Sequence, residues 1–148
     1  MTKEDIMAAQ NFKGSNVTRI SGRKIVSARS FIDDAEKQLE RSRFSGRVDD
    51  RVVFAYRAAL RAAGALVQTA MVGRKRSPRG SAWEKLRVLH PDLKDWVKLF
   101  EGYARMASRA GMGLESGMDP QLADQLYADA ARFIDLAREE TGYLPSVA

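Results

Sequence analysis

His90 is the only histidine among 148 residues, and so the only side chain whose ordinary titration range suits general acid or base work near neutrality. It stands directly before Pro91. A histidine there is more commonly structural, closing a helix whose C-terminal dipole favours its partial positive charge. The chain has no cysteine, which removes thiolate nucleophiles, thiolate zinc sites and disulfides together. A metal would have to recruit His90 with scattered carboxylates such as Asp92 and Asp95, a poor set for zinc, so neither a metal nor a cofactor is expected.

A second set of residues could handle phosphate. Gly73 to Gly80 reads GRKRSPRG, a turn-rich loop with Arg74, Lys75, Arg76 and Arg79. Arg57 and Arg61, read as an exposed face of the preceding helix, would extend it into a binding strip for nucleic acid. The plainer reading is a solvated loop, because the aromatic residues that single-strand readers interleave with their cations are missing from it. A third set is aromatic: Trp83 beside this loop, with Arg87, His90, Tyr56 and Arg57, marks the place where a pocket between helices would lie. Trp96, Phe100 and Phe133 are assigned to the core.

These residues must be positioned by helices, since no period-2 strand pattern competes anywhere. Phe31, Ile32, Ala35 and Leu39 predict a first helix over about Ser27 to Arg43. Val52, Val53, Tyr56, Leu60, Ala63, Val67, Ala70 and Met71 mark a long second helix over about Asp49 to Val72. Its many alanines raise helix propensity and let neighbours approach closely. Ser81-Ala82-Trp83-Glu84 fits a capping box that opens a short helix ending at His90. Pro91 suits the first turn of a fourth helix carrying Leu93, Trp96, Val97, Phe100, Tyr103, Ala104 and Ala107 as far as Gly111. After the loop GMGLESGM, Asp119-Pro120 starts a last helix to about Glu140. Four long helices and one short one imply an all-α, antiparallel up-and-down bundle over residues 27–142. Residues 1–26 read as a flexible basic tail and 143–148 as a C-terminal tail.

The formal net charge of +6 is unevenly placed. Met1 to Arg29 holds a surplus of four positive charges and Arg74 to Arg79 another four, which leaves −2 for all other residues. The basicity therefore belongs to the tail and one loop, while the folded body is close to neutral. No uninterrupted apolar run long enough to span a membrane is present, and residues 1–24 lack a secretory apolar core. A cytoplasmic location without membrane contact is expected.

The run FAYRAALRAAGALV, the segment RGSAWEKLRVLHPDLKDWVKLFEGYA and the stretch QLADQLYADAARFIDLA resemble the actinobacterial SAV_6107-like HEPN family, over about Arg29 to Arg138. Pro91, Leu93 and Trp96 following Ser81-Ala82-Trp83 carry most of the resemblance. It implies a bundle of four or five helices, homodimerisation, and one of two functions. HEPN ribonucleases, often toxins, are metal-independent and pair an arginine with a histidine four to six residues further on. Their non-catalytic relatives bind nucleotides, nucleic acids or proteins. The arginine positions ahead of His90 hold Trp83, Glu84 and Lys85 instead. Lys85 has the right gap without the planar fork of a guanidinium, and Arg87 is too close in sequence. The expectation is therefore a non-catalytic interaction module that binds RNA or another nucleic acid, a nucleotide or a protein partner. The alternative is an endoribonuclease using His90 with Lys85 or Arg87.

Overall fold

The computed structural model describes residues 20–114 and 117–143. It has five α-helices: α1 (Ile20–Phe44), α2 (Val48–Ala70), α3 (Ala82–Leu89), α4 (Lys94–Gly111) and α5 (Pro120–Thr141), with a 3-10 turn at Pro91–Leu93 leading into α4. No strand occurs among the described residues, and none of their helices is long and apolar enough to cross a membrane.

Alanine decides the architecture. Ala55, Ala58, Ala59, Ala62, Ala63 and Ala65 of α2 are all fully buried, and α2 packs against α1, α3, α4 and α5 alike. A helix packed against four neighbours needs small side chains where their backbones come near, and alanine supplies them without loss of helix propensity. At Gly64 even a methyl group is too large: a Cβ there would lie 2.8 Å from Cε1 of Phe31 on α1. Ser42 of α1 is fully buried and its hydroxyl donates to the Arg51 carbonyl of α2 at 2.7 Å. Ion pairs tie the outer edges, Arg51 of α2 to Asp124 of α5 and Arg138 of α5 to Glu36 of α1.

Aromatic rings fill the opposite side of the core. Phe100 of α4 stacks on Trp83 of α3 with centroids 5.2 Å apart and meets Phe133 of α5 at 5.0 Å. Trp96 of α4 lies 5.4 Å from Phe133 and 6.0 Å from Phe100, but it is only half-buried. Each such pair adds about 1 kcal/mol to the area it buries.

The helix starts agree with expectation within a residue for α2, α3 and α5, whereas Pro91 opens a separate 3-10 turn and α4 itself begins at Lys94. Ser81 and Glu84 form the capping box that opens α3, and the Asp119 side chain accepts from the Gln121 amide ahead of Pro120 in α5. The larger departure is α1, which begins at Ile20 instead of about Ser27. Ser21 and Gly22 look like loop punctuation, yet a helical glycine costs only about 1 kcal/mol, which a 25-residue helix absorbs. Residues 1–19 of the expected basic tail, 144–148 of the expected C-terminal tail, and Glu115 and Ser116 of the loop after α4 lie outside the described residues.

Candidate nucleic-acid interface

The basic loop is pinned at both ends. Gly73 takes a φ of +81°, a left-handed conformation that turns the chain away from α2, and the Arg74 amide donates to the Met71 carbonyl at 3.0 Å. At the far end the Ser81 hydroxyl accepts from the Glu84 amide at 3.1 Å, and the Glu84 carboxylate accepts from the Ser81 amide at 3.3 Å. Arg74, Lys75, Arg76 and Arg79 between them are all exposed, and none has a carboxylate within ion-pair distance among the described residues. Four unneutralised cations within six residues make a local positive field.

The two helical arginines expected to extend this strip differ. Arg57 is exposed, lies 5.7 Å from the centre of the Phe54 ring, and lines a groove of about 510 Å³ between α2 and α4. Arg61 departs from expectation: it is half-buried and its Nε lies 2.8 Å from Asp34 of α1. Its charge is answered within the fold because α1 packs along that side of α2.

The expected pocket between Trp83 and Tyr56 is closed. Trp83 is buried, and its indole N–H donates to the Tyr56 hydroxyl at 2.8 Å. Burial pushes the Tyr56 phenol above its ordinary pKa, the indole N–H opposing that rise. Trp83 thus spans α3 and α2 as part of the core. Tyr56 and Arg57 line the groove beside α4, which Trp83, Arg87 and His90 do not enter.

His90 closes α3. Its amide donates to the Leu86 carbonyl at 2.7 Å, its carbonyl accepts from the Leu93 amide at 2.9 Å, and Nδ1 lies 3.5 Å from an Asp92 carboxylate oxygen. Arg87 is ion-paired with Glu101 of α4, and Lys85 is half-buried on α3. The Arg87 guanidinium is therefore held toward α4 by a carboxylate that also cancels part of its charge. No group of three or more His, Asp or Glu side chains able to hold a metal ion occurs among the described residues.

The break at Pro91 assembles a site that sequence spacing conceals. Arg87 from the last turn of α3 and Lys94 and Lys98 from α4 line one groove of about 660 Å³, together with Pro91 and Asp95. Lys94 and Lys98 are exposed, and neither has an ion-pair partner among the described residues. Asp95 also borders a second hollow of about 320 Å³, lined by Trp96, Leu99, Asp129 and Arg132. Asp129 is buried and accepts from the Tyr103 hydroxyl at 3.0 Å, and Arg132 closes the other side of its carboxylate. Burial, with the hydrogen bond and charge of Asp129, pushes the Tyr103 phenol up to about 12. The i, i+4 spacing of Lys94 and Lys98 was the one sequence signal for this face.

Fold and surface together define an all-helical domain with a cationic loop and a cationic groove at the two ends of one short helix. The chain belongs to the SAV_6107-like HEPN family, whose model matches residues 43–138. The match takes in α2 to α4 and most of α5, and leaves almost all of α1 outside. No curated protein and no solved structure matches the chain.

Proposed function

We propose that this protein is a non-catalytic HEPN-like module that binds RNA, with Arg74, Lys75, Arg76 and Arg79 as its main phosphate contacts. The observation that carries the reading is that these four exposed cations have no carboxylate partner among the described residues, so binding a polyanion displaces only counterions and breaks no ion pair. The long helices are read as an antiparallel up-and-down bundle, because only Ser45, Gly46 and Arg47 separate α1 from α2. Such a frame holds the loop at one end of the molecule. Catalysis is disfavoured because Arg87 is engaged by Glu101 and Lys85 is half-buried, leaving His90 without a free guanidinium beside it to steady a phosphorane.

The test is RNA binding and cleavage by purified protein across a salt series, with a variant neutralised at Arg74, Lys75, Arg76 and Arg79 and with His90→Ala. Steeply salt-dependent binding without cleavage is expected, and neutralising the loop should lower the slope of log K against log salt by about three. Cleavage that His90→Ala abolishes would establish the ribonuclease reading in its place. Absence of both binding and cleavage would point to a protein partner.

A further inference from the structure

The two hollows that share Asp95 differ in chemistry. One is cationic: Lys94 and Lys98 have no ion-pair partner among the described residues, and Arg87, itself paired with Glu101, also lines it. The other contains part of the Trp96 indole and the Leu99 side chain, both reaching the surface beside Arg132. A phosphate group needs the first environment, and an unstacked base needs an aromatic or apolar surface like the second. Their juxtaposition along one side of α4 repeats the phosphate-then-base alternation of a single nucleic-acid strand. We infer that the N-terminal half of α4 is a binding site for one nucleotide unit of single-stranded RNA, with a base packed against Trp96 and its phosphate held by Lys94 and Lys98.

This inference rests on the RNA-binding reading above and adds to it the site where a base is engaged. It supplies the aromatic contact that the loop lacks. The loop feeds directly into α3, and Arg87 sits in the last turn of that eight-residue helix. Eight residues of α-helix span about 12 Å, so one strand a few nucleotides long can touch both the loop and the groove. Asp95 borders both hollows, and its carboxylate weakens the hold on a phosphate in either of them. A duplex is a poor ligand for this site because its bases are already stacked.

The experiment is a titration of the full chain with a single-stranded RNA oligonucleotide of about twelve nucleotides, read by tryptophan emission and by the anisotropy of a labelled strand. Trp83 is buried in the core, so a base that contacts tryptophan contacts Trp96. Binding should quench wild-type emission, and Trp96→Phe should keep most of the affinity while losing the quench. The variant carrying Lys94→Ala and Lys98→Ala, both at exposed positions, should bind roughly tenfold more weakly and lower the salt slope by about one and a half. A duplex of equal length should bind without quenching. Quenching that persists in Trp96→Phe would overturn the inference. So would unchanged binding by the double lysine variant while the loop-neutralised variant loses it, and that result would leave the RNA-binding reading standing. If the wild type binds no RNA, both fall.

Discussion

The indole N–H of Trp83 donates to the hydroxyl of Tyr56 across 2.8 Å, joining the shortest helix to the central one through a bond between two side chains that are each mostly withdrawn from water. The Trp83 ring is otherwise packed on Phe100 and Phe133. Tyr56→Phe leaves the N–H unpaired, and the variant should lose about 1–2 kcal/mol in urea unfolding. Trp83→Phe should cost more through lost packing. The double variant should then cost less than the sum of the two, with a coupling of about 1 kcal/mol. Strict additivity would mean the bond contributes nothing to the attachment of α3.

Gly64 gives a second test, of the close approach between α1 and α2. On propensity alone, Gly64→Ala in the middle of a helix should stabilise by about 1 kcal/mol. The new methyl group would lie 2.8 Å from Cε1 and 2.9 Å from Cδ1 of Phe31, so the ring must move. Overpacking of this kind costs about 1–3 kcal/mol, and the net effect should be a loss of about 1 kcal/mol in thermal or urea unfolding. Adding Phe31→Leu should recover much of that loss. Gly64→Ala alone raising stability would show that the α1–α2 contact is looser than described.

Tyr103 makes a prediction about alkaline pH. Its phenol is pushed from 10.0 to about 12, by burial first and then by Asp129 as acceptor and as charge. A group with a raised folded pKa contributes stability that is fully present below its unfolded pKa and is lost as pH climbs through the folded one. Stability should therefore fall between pH 10 and about 12 as the unfolded chain releases a proton that the folded chain retains. Tyr103→Phe should be less stable near neutral pH, because Asp129 loses a donor, yet its stability should decline less steeply across that alkaline window. Denaturant melts at stepped pH, with tyrosinate absorbance followed in parallel, measure both effects.

These relationships were unequally legible in the sequence. The capping box at Ser81 and Glu84 and the Asp119-Pro120 start could be read because a cap is made by residues within one turn of each other. The buried stripe of α2 was legible from its period. The pairing of Trp83 with Tyr56 was not, because it joins residues 27 apart whose meeting depends on how α3 docks. Position beside the basic loop instead suggested an open pocket. Arg61 was misplaced for a similar reason: a helical pattern shows that a residue lies off the apolar stripe, but not that Asp34 of a neighbouring helix waits there. The groove of Arg87, Lys94 and Lys98 stayed hidden because Pro91 interrupts the helix. Spacing across such a break says nothing about which faces converge.

Asp95 supplies a final prediction, in which stability and binding move in opposite directions. It lies in the first turn of α4, where a carboxylate is favoured by the helix dipole, and Asp95→Asn should cost about 0.5 kcal/mol of stability. The same carboxylate borders the groove that contains Lys94 and Lys98 and opposes any phosphate placed there. Removing one negative charge at that range near a protein surface is worth about 1 kcal/mol, so Asp95→Asn should bind single-stranded RNA roughly fivefold more tightly at low salt. That gain should shrink toward nothing in high salt, where the interaction is screened. A lower melting temperature with tighter, salt-sensitive binding would place the phosphate beside α4. A lower melting temperature with unchanged RNA affinity would remove α4 from the interface and leave binding to the loop alone.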